Sequence, residues 1–275
     1  MTEASVDGIN VVDSELKSDS RLIILLGLPE GIKNVSRKLS SVQDTVRIRR
    51  GLYVIHGFSE IHEAILESNP FTSFVKTREI PVVRVKSEDV YSTRAYTVVS
   101  FSFVNPTAQQ KKYVERLIKK TTGIRLRPGV ILFPLLRSKE RRRIIGDEEN
   151  RLLIDSKEFS RLIREKGGDT IRWSRLRIIN LNGDAYIKLA VEKTLHSDLS
   201  ALETRIRTLR EKSRDSSIAL SQLKRRYTIL SRSFRRLKTK WMLAKRLWFY
   251  DAEKALKRTY NMLLTARRTI ESAET

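Results

Sequence analysis

The sequence of 275 residues contains no cysteine and only three histidines, His56, His62 and His196. The absence of cysteine excludes disulfides, thiolate chemistry and cysteine-based zinc sites, and three scattered histidines supply few metal ligands. No Walker loop, Rossmann glycine fingerprint, HExxH or GxSxG motif occurs. We therefore expect no catalytic residue, no metal site and no cofactor, with each histidine in a structural role.

Long hydrophobic runs are also absent. The longest strand-like apolar run, Leu22–Leu28, is far shorter than the ~18 residues that a membrane-spanning helix needs. The first twenty residues contain five acids and one lysine, unlike the basic start of a secretory signal. We expect a disordered acidic tail over residues 1–20 of a cytoplasmic protein. Only four glutamines accompany abundant Lys, Arg and Ile, which favours a heat-adapted, archaeal source.

Glycine and proline are unevenly distributed along the chain. All eleven glycines lie at or before Gly183, and all six prolines lie at or before Pro134. The last 92 residues therefore lack the two residue types that most strongly interrupt helices. This distribution predicts a mixed α and β region up to residue 183 and a helical arm over residues 184–275.

The first region contains an internal repeat. Residues 46–55 (VRIRRGLYVI) and 124–133 (IRLRPGVILF) share the pattern apolar, Arg, apolar, Arg, any residue, Gly, followed by an apolar run. Alternation is typical of a half-buried strand, glycine of a turn, and a continuous apolar run of a buried central strand. Each segment is therefore predicted to form a β-hairpin.

The elements around the two hairpins repeat as well. The predicted flanking elements are 22–28, 31–42, 60–67 and 80–86 in the first copy, and 96–104, 108–121, 156–166 and 171–179 in the second. Their order, βαββαβ, is typical of a ferredoxin-like domain, which has helices on one face of a four-stranded antiparallel sheet. The predicted fold class is α+β, with tandem ferredoxin-like domains at 21–90 and 91–183. The second domain carries a basic insertion at 137–150.

Apolar residues in the arm recur at alternating gaps of four and three residues, which is the seam of a coiled coil. The first series is Leu195, Leu199, Leu202, Ile206 and Leu209, and the second is Leu223, Tyr227, Leu230, Phe234, Leu237, Trp241, Ala244 and Trp248. We predict a long, coiled-coil-like basic helical hairpin connected at Ser213–Ser217. After Asp251 the apolar positions shift to Ala252, Leu256, Tyr260 and Leu263. The shift indicates a stutter, a bend or a third helix.

The net charge is +23, from 55 Lys and Arg against 32 Asp and Glu, and such an imbalance attracts polyanions. Between Ser216 and Tyr250 there are ten basic residues and no acidic one. The ten are Lys224, Arg225, Arg226, Arg232, Arg235, Arg236, Lys238, Lys240, Lys245 and Arg246. With Leu223 at heptad position d, all ten fall outside the seam and have no acidic partner in their own helix. We expect them to form an exposed ridge that binds nucleic-acid phosphates. The alternatives are a merely solvated face, or contact with an acidic protein or a membrane surface.

Other basic and aromatic residues are further candidates. The hairpin arginines are Arg47, Arg49, Arg50, Arg125 and Arg127. We expect them on an exposed sheet face, where they either bind RNA or only solubilise the sheet. The insertion contributes Arg137, Lys139, Arg141, Arg142 and Arg143. These residues form either a phosphate-binding loop or pairs with the neighbouring Asp147, Glu148 and Glu149. Trp241 and Trp248 are expected in the core, and Phe249 and Tyr250 are expected to stack on bases or dock a partner.

The second hairpin, with the preceding strand at 96–104 and helix at 108–121, resembles the ferredoxin-like domain of the small CRISPR adaptation subunit and its relatives. The resemblance spans residues 95–180 and, more faintly, 20–90. It implies dimerisation through sheets, duplex contact through basic surfaces and, in some members, metal-dependent nuclease activity with an acid at the end of the first strand. The matching stretches, 26–29 (LGLP) and 102–105 (SFVN), contain no acid, although Glu30 follows the first.

Together these features predict a non-catalytic protein that binds the phosphate backbone of RNA or DNA through its arm, as part of a ribonucleoprotein or nucleoid. A homodimer or ribonucleoprotein partners are compatible with this role. Two alternatives are a metal-dependent nuclease of ferredoxin-like fold, which would use Glu30, and a coiled-coil assembly scaffold. Replacing Arg225, Arg232 and Arg236 with Gln distinguishes the scaffold from the nucleic-acid-binding protein. A scaffold would keep its assembly and its partners, whereas a nucleic-acid-binding arm would lose affinity for nucleic acid.

Overall fold

The computed structural model describes residues 16–78, 95–136, 153–213, 218–247 and 252–272. These residues form a mixed α+β structure with an eight-stranded antiparallel sheet and seven helices, so the predicted α+β class is confirmed. The strands are β1 (Ser20–Leu25), β2 (Thr45–Arg49), β3 (Leu52–His56), β4 (Phe71–Lys76), β5 (Tyr96–Ser102), β6 (Ile124–Arg127), β7 (Val130–Pro134) and β8 (Asp169–Ile178). The helices are α1 (Pro29–Leu39), α2 (Glu60–Glu67), α3 (Ala108–Lys119), α4 (Ser156–Arg164), α5 (Leu181–Lys212), α6 (Leu220–Leu247) and α7 (Glu253–Glu271).

The chain folds as two compact units. Among the described residues, the first unit comprises 16–78, 95–135 and 155–183, which contain the sheet and helices α1 to α4. The second unit contains residues 136 and 153–154 and everything described from Asp184 onward. Its helices are the rest of α5, with α6 and α7.

The eight strands are arranged in the order β2-β3-β1-β4-β8-β5-β7-β6. Each half of the sheet therefore repeats the same internal order, and the halves join where β4 pairs with β8, with Phe74 opposite Ile178. In the described residues, the strand that follows α2 is β4, at 71–76, and the predicted strand at 80–86 lies outside the described residues. Sequence reasoning missed β4 because its buried residues include the polar Thr72 and Ser73. The Thr72 hydroxyl donates to the Gly183 carbonyl at 3.4 Å, and the backbone amide of Ser73 donates to Asn180 Oδ1 at 2.9 Å, whereas the Ser73 hydroxyl is buried without a hydrogen-bond partner in the described part of the chain.

Helix starts in this unit follow from local sequence. At α3, Thr107 Oγ1 accepts a hydrogen bond from the Gln110 amide at 3.1 Å, and Gln110 Oε1 accepts one from the Thr107 amide at 2.9 Å. This reciprocal pair satisfies two amides that the first helical turn leaves without partners. At α4, Asp155 Oδ1 accepts from the Glu158 amide at 2.9 Å, in the same capping role.

In the first half of the sheet, both faces of β1 and β3 are buried, whereas the edge strand β2 is partly exposed. On the helix-covered face, Ile23, Leu25, Tyr53 and Ile55 pack in one core with Ile32, Val35 and Leu39 of α1 and Leu66 of α2. Successive strand residues point to opposite faces. The alternating residues Leu22, Ile24, Leu52 and Phe74 therefore lie on the other face, and all four are 0% exposed. The sheet face opposite the helices is thus not the open surface that the sequence pattern predicted for the hairpin arginines.

Two arginines at equivalent repeat positions link the two halves. Arg49 of β2 donates to the hydroxyls of Ser100 and Ser102 in β5 and pairs with Asp169 of β8 at 2.7 Å. In the flat sheet, β2 and β5 would be five strand spacings apart, or about 24 Å. The sheet must therefore curl strongly to bring these residues into contact.

The second of these arginines, Arg127 of β6, makes the reciprocal contact. Its Nη1 donates to the backbone carbonyls of Leu25 at 2.8 Å and Gly51 at 3.0 Å. Burial, followed by the nearby charge of Arg50, lowers the pKa of Arg127. Gly51 has a φ of +69°, and a Cβ there would lie 1.7 Å from Arg127 Nη1. Glycine is therefore required by both the backbone conformation and the close approach.

In the second unit, the predicted apolar series form the buried faces of three helices. All five members of the α5 series are buried, as are Leu223, Leu230, Phe234, Leu237 and Ala244 of the α6 series. Tyr227 and Trp241 are only half-buried, so Trp241 is not the core residue that the sequence predicted. The shift after Asp251 marks the start of a third helix, α7, so the predicted hairpin is instead part of a three-helix arrangement. The buried positions of α7 are Leu256, Thr259, Leu263, Ala266 and Ile270. Tyr260, expected on the apolar face, is 47% exposed.

A buried carboxylate ties α5 to α7. Glu203 is 6% exposed, and its two carboxylate oxygens accept hydrogen bonds from Arg258 at 3.0 and 3.1 Å. Thr259 donates a further hydrogen bond from its hydroxyl at 2.8 Å. These bonds explain why Thr259 occupies a buried position of α7. Its neighbour Tyr260 therefore lies closer to solvent.

The remaining predictions concern the N-terminus and the membrane. Leu16 is buried and Ser20 begins β1, so ordered structure starts before the predicted end of the acidic tail at residue 20. Residues 1–15 and most of the predicted insertion, 137–150, lie outside the described residues. Among the helices that are described, none combines the length and apolar character needed to cross a membrane.

Candidate nucleic-acid interface

Helix α6 carries all ten basic residues predicted for the ridge, and the structure describes the side chains of nine. Exposed side chains belong to Lys224, Arg225, Arg226, Arg232, Arg235, Lys238 and Lys245. Arg236 is half-buried and Lys240 is buried, whereas the side chain of Arg246 and all of Arg141, Arg142 and Arg143 lie outside the described part. Seven of the predicted residues are therefore placed where a large anion could reach them.

Five of these exposed residues have no acidic partner. Within the described ranges, no carboxylate forms an ion pair with Arg225, Arg226, Arg232, Arg235 or Lys238. Three of them, Arg225, Arg232 and Arg235, lie on the side of α6 opposite its buried seam, and we refer to them as the outer arginines. Like charges at helical spacings repel one another, so this surface is electrostatically unfavourable until an external anion neutralises it.

Two residues of the predicted ridge do not belong to its exposed surface. Lys240 is 5% exposed, because the buried side of α6 widens after Phe234 to include Leu243. Arg236 lies on the same widened side, where burial, and then the charge of Arg232, lower its pKa. The heptad pattern predicted exposure for both, since it assumes a narrow two-helix seam, whereas α6 packs in a three-helix arrangement. Neither is therefore a candidate for phosphate contact.

Cations on α5 and α7 extend the basic surface beyond α6. A groove of about 280 Å³ between α5 and α6 is lined by Arg205, Lys212 and Arg226. Another, of about 400 Å³ between α5 and α7, is lined by Arg207, Arg210 and Arg258. Residues 184–275 contain 22 basic and 10 acidic residues. This excess of basic residues was the one feature of the sequence that could have indicated these cations. They were not singled out, because acidic residues lie between them in the sequence.

The groove between α6 and α7 differs from the other two because aromatic rings line it. Its volume is about 420 Å³, and its walls are Phe234, Lys238, Trp241, Glu253, Leu256, Lys257 and Tyr260. The rings of Phe234 and Tyr260 stack at a centroid distance of 5.7 Å and an interplanar angle of 30°. Lys245 Nζ lies 5.2 Å from the centroid of the Trp241 ring. Residues 248–250, which include the predicted stacking pair Phe249 and Tyr250, lie outside the described residues.

The hairpin arginines belong to the first unit. Arg49 and Arg127 make the contacts within the first unit given above, and Arg125 pairs with Glu115 at 2.5 Å. Arg47 and Arg50 are exposed. Arg49 and Arg127 therefore fit neither expectation, RNA binding or solubilising the sheet, because their guanidinium groups form hydrogen bonds inside the first unit.

Residues with possible catalytic or metal-binding chemistry are dispersed. Among the described residues, no three His, Asp or Glu side chains converge as a metal site. Glu30 lies in the first turn of α1. His62 is buried, with Nε2 3.1 Å from Thr45 Oγ1 and Nδ1 2.8 Å from Ser59 Oγ. Burial lowers the pKa of His62, against an opposing effect from Asp44. Its hydrogen bonds are those of a helix-capping residue at the start of α2.

No protein-family model matches the chain. No curated protein shows significant sequence similarity to it. Its function is therefore inferred from the charges, exposure and contacts of its own residues.

Proposed function

We propose that this protein is a non-catalytic nucleic-acid-binding protein whose three-helix unit binds the phosphate backbone through the exposed cations of α6. The observation that carries the proposal is the set of five exposed cations on α6 without acidic partners among the described residues. A protein gains nothing in folding from such a cluster, because its charges repel one another. Phosphates of a nucleic acid would remove this repulsion and release their condensed counterions.

The number of available cations sets the expected strength of the salt dependence. Neutralising five phosphates gives a slope of log affinity against log salt of about −3.5 for a single strand and about −4.5 for a B-form duplex. Affinity would then fall about 100- to 500-fold between 50 and 200 mM salt. Such contacts carry no sequence information. Binding is therefore expected to tolerate changes of sequence.

We propose in addition that each half of the first unit is a ferredoxin-like βαββαβ domain. The order of strands in the sheet, β2-β3-β1-β4 in one half and β6-β7-β5-β8 in the other, supports this assignment. The apolar stripes of α5, α6 and α7 support a coiled-coil-like packing of the second unit, with the stripes buried within one chain. On this proposal the first unit is a scaffold, and the second is the binding module of a cytoplasmic ribonucleoprotein or nucleoid component.

The test compares two triple variants of the full chain. In the first, the outer arginines Arg225, Arg232 and Arg235 are changed to Gln. In the control, Lys111, Arg116 and Lys119 on α3 are changed to Gln. These residues are also exposed, and replacing them removes the same number of positive charges. Binding of nuclease-treated protein to labelled single-stranded RNA, duplex RNA and duplex DNA is measured by fluorescence anisotropy at constant salt.

We expect the first variant to lose affinity for every nucleic acid that the wild type binds, and the control variant to lose much less. Each phosphate contact contributes separately to counterion release. An equal loss in both variants would show that net charge, and not the surface of α6, determines binding. Absence of binding by the wild type would refute the proposed function altogether.

A further inference from the structure

The groove between α6 and α7 combines aromatic rings with cations, a combination that phosphate contact alone does not require. The α5–α6 and α5–α7 grooves are lined by basic, polar and aliphatic residues, with no aromatic ring in either lining. The α6–α7 groove, in contrast, contains Phe234, Trp241 and Tyr260. We propose that this groove receives an unpaired base of a single-stranded nucleic acid, so that the preferred ligand is a single strand. The inference rests on the proposed function and specifies its ligand.

The exposure of the rings is the first argument. Phe234 is 7% exposed and belongs to the core of the second unit, whereas Tyr260 is 47% exposed although it stacks on Phe234. The apolar series predicted that Tyr260 would be buried, but the bond from Thr259 to Glu203 holds the neighbouring position in the core instead. One face of the Tyr260 ring packs on a buried ring, and the residue is still partly open to solvent. A base of any identity can stack on an aromatic ring in this position.

The size of the groove is the second argument. Its volume of about 420 Å³ lies within the range of roughly 300–1,000 Å³ that small-molecule sites in proteins occupy. Bases in a duplex are stacked on their neighbours and cannot enter such a space without being unpaired. A single strand presents its bases freely. The dimensions therefore favour a base that needs no prior unpairing.

The charge at the rim is the third argument. Lys238, Lys245 and Lys257 surround the groove, and the one acid among its lining residues is Glu253. Glu253 pairs with Lys257 at 3.1 Å and with Lys245 at 3.8 Å, so its charge is offset. The surplus positive charge at the rim matches the phosphates on either side of an inserted base.

The outer arginines lie on the same helix as two of the aromatic residues of the groove. Phe234 and Trp241 are in α6, as are Arg225, Arg232 and Arg235. Lys238 lines the groove and is also one of the five exposed cations of α6 without an acidic partner among the described residues, so a strand whose phosphates contact these cations passes the rim of the groove. Alternating basic and aromatic contacts of this kind are the usual basis of single-strand binding without sequence preference.

The test uses labelled strands that differ only in their bases or sugar. The probes are oligouridylate, oligodeoxyuridylate and an abasic deoxyribose strand of the same length and phosphate count. Each is titrated against the wild type, Tyr260→Leu and Tyr260→Phe at constant salt. Because Tyr260 is almost half exposed, Tyr260→Leu is expected to fold, which circular dichroism checks. The RNA and DNA probes show which kind of strand supplies the base.

We expect the wild type to bind the base-containing strands about tenfold more tightly than the abasic strand, as one stacked base allows. Tyr260→Leu should lose about tenfold on base-containing strands and nothing on the abasic strand, while Tyr260→Phe should retain the wild-type affinities. Equal wild-type affinity for intact and abasic strands would overturn this inference and leave the proposed function standing. Failure of all three probes to bind would overturn this inference, and the proposed function would fall as well only if duplex RNA and duplex DNA also failed to bind.

Discussion

The contact of Arg127 with the other half of the sheet predicts an unusually large effect for replacing one arginine. The change Arg127→Met keeps most of the aliphatic stem but removes the hydrogen bonds to the carbonyls of Leu25 and Gly51. Two hydrogen bonds from a charged donor contribute roughly 3–6 kcal/mol together. The cost of burying the guanidinium, which also lowers its pKa, offsets part of this. We expect the first unit to lose about 2–4 kcal/mol of unfolding free energy.

The matched control is Arg125→Met on the same strand. Arg125 pairs with Glu115, and the two side chains are 34% and 57% exposed, so this pair contributes at most about 1 kcal/mol. Hydrogen exchange of the β1 amides, followed by mass spectrometry, reports on the first unit separately from the helices of the second. Equal protection of β1 in the two variants would refute the conclusion that Arg127 holds the two halves together.

Three further predictions concern stability. Gly51→Ala should reduce protection of β1 at least as much as Arg127→Met, because its φ of +69° strains any other residue and a Cβ would displace the Arg127 side chain. The pKa of His62 is lowered in the folded state, so the unfolded state binds the proton more readily. Stability should therefore be complete above the ordinary pKa of about 6.5 and fall as pH drops below it, and His62→Gln should lose this component in urea titrations. Glu203→Gln should destabilise the second unit by about 1–3 kcal/mol in thermal unfolding followed at 222 nm, whereas Glu211→Gln on the exposed side of α5 should change it by less than about 0.5 kcal/mol.

Much of the first unit could be predicted from sequence because its strands and turns have strong local signals. The hairpins follow from the repeated Arg and Gly pattern, and α2 lies at the predicted 60–67. Strand β4 was missed because Thr72 and Ser73 are polar, and the hydroxyl of buried Thr72 bonds to the Gly183 carbonyl, which is 111 residues away in the chain. The curl of the sheet could not be predicted either. The alternating sequence pattern places the Arg49 side chain outside the core, but it does not show which strand that side chain contacts.

In the second unit, the apolar series predicted the buried faces of α5 and α6 well but not the exposed surface. Heptad positions assume one partner helix, whereas α6 packs in an arrangement of three helices and buries Lys240 on the additional side. Tyr260 fits the apolar spacing, yet Thr259 takes the buried position because Glu203 supplies a hydrogen-bond acceptor there. The basic run on α6 was visible in the sequence, but the aromatic groove beside it depends on how α7 packs.

The salt dependence of nucleic-acid binding shows whether the exposed cations of α6 bind phosphates. Affinities of the wild type and of the triple variant of Arg225, Arg232 and Arg235 are measured for single-stranded RNA and duplex DNA over a series of salt concentrations. For the wild type we expect log affinity to fall steeply with log salt concentration, and in the variant we expect the magnitude of this slope to be smaller by about 2.1 for the single strand or about 2.7 for the duplex. Identical slopes for the two proteins, or affinity that does not depend on salt, would contradict this expectation.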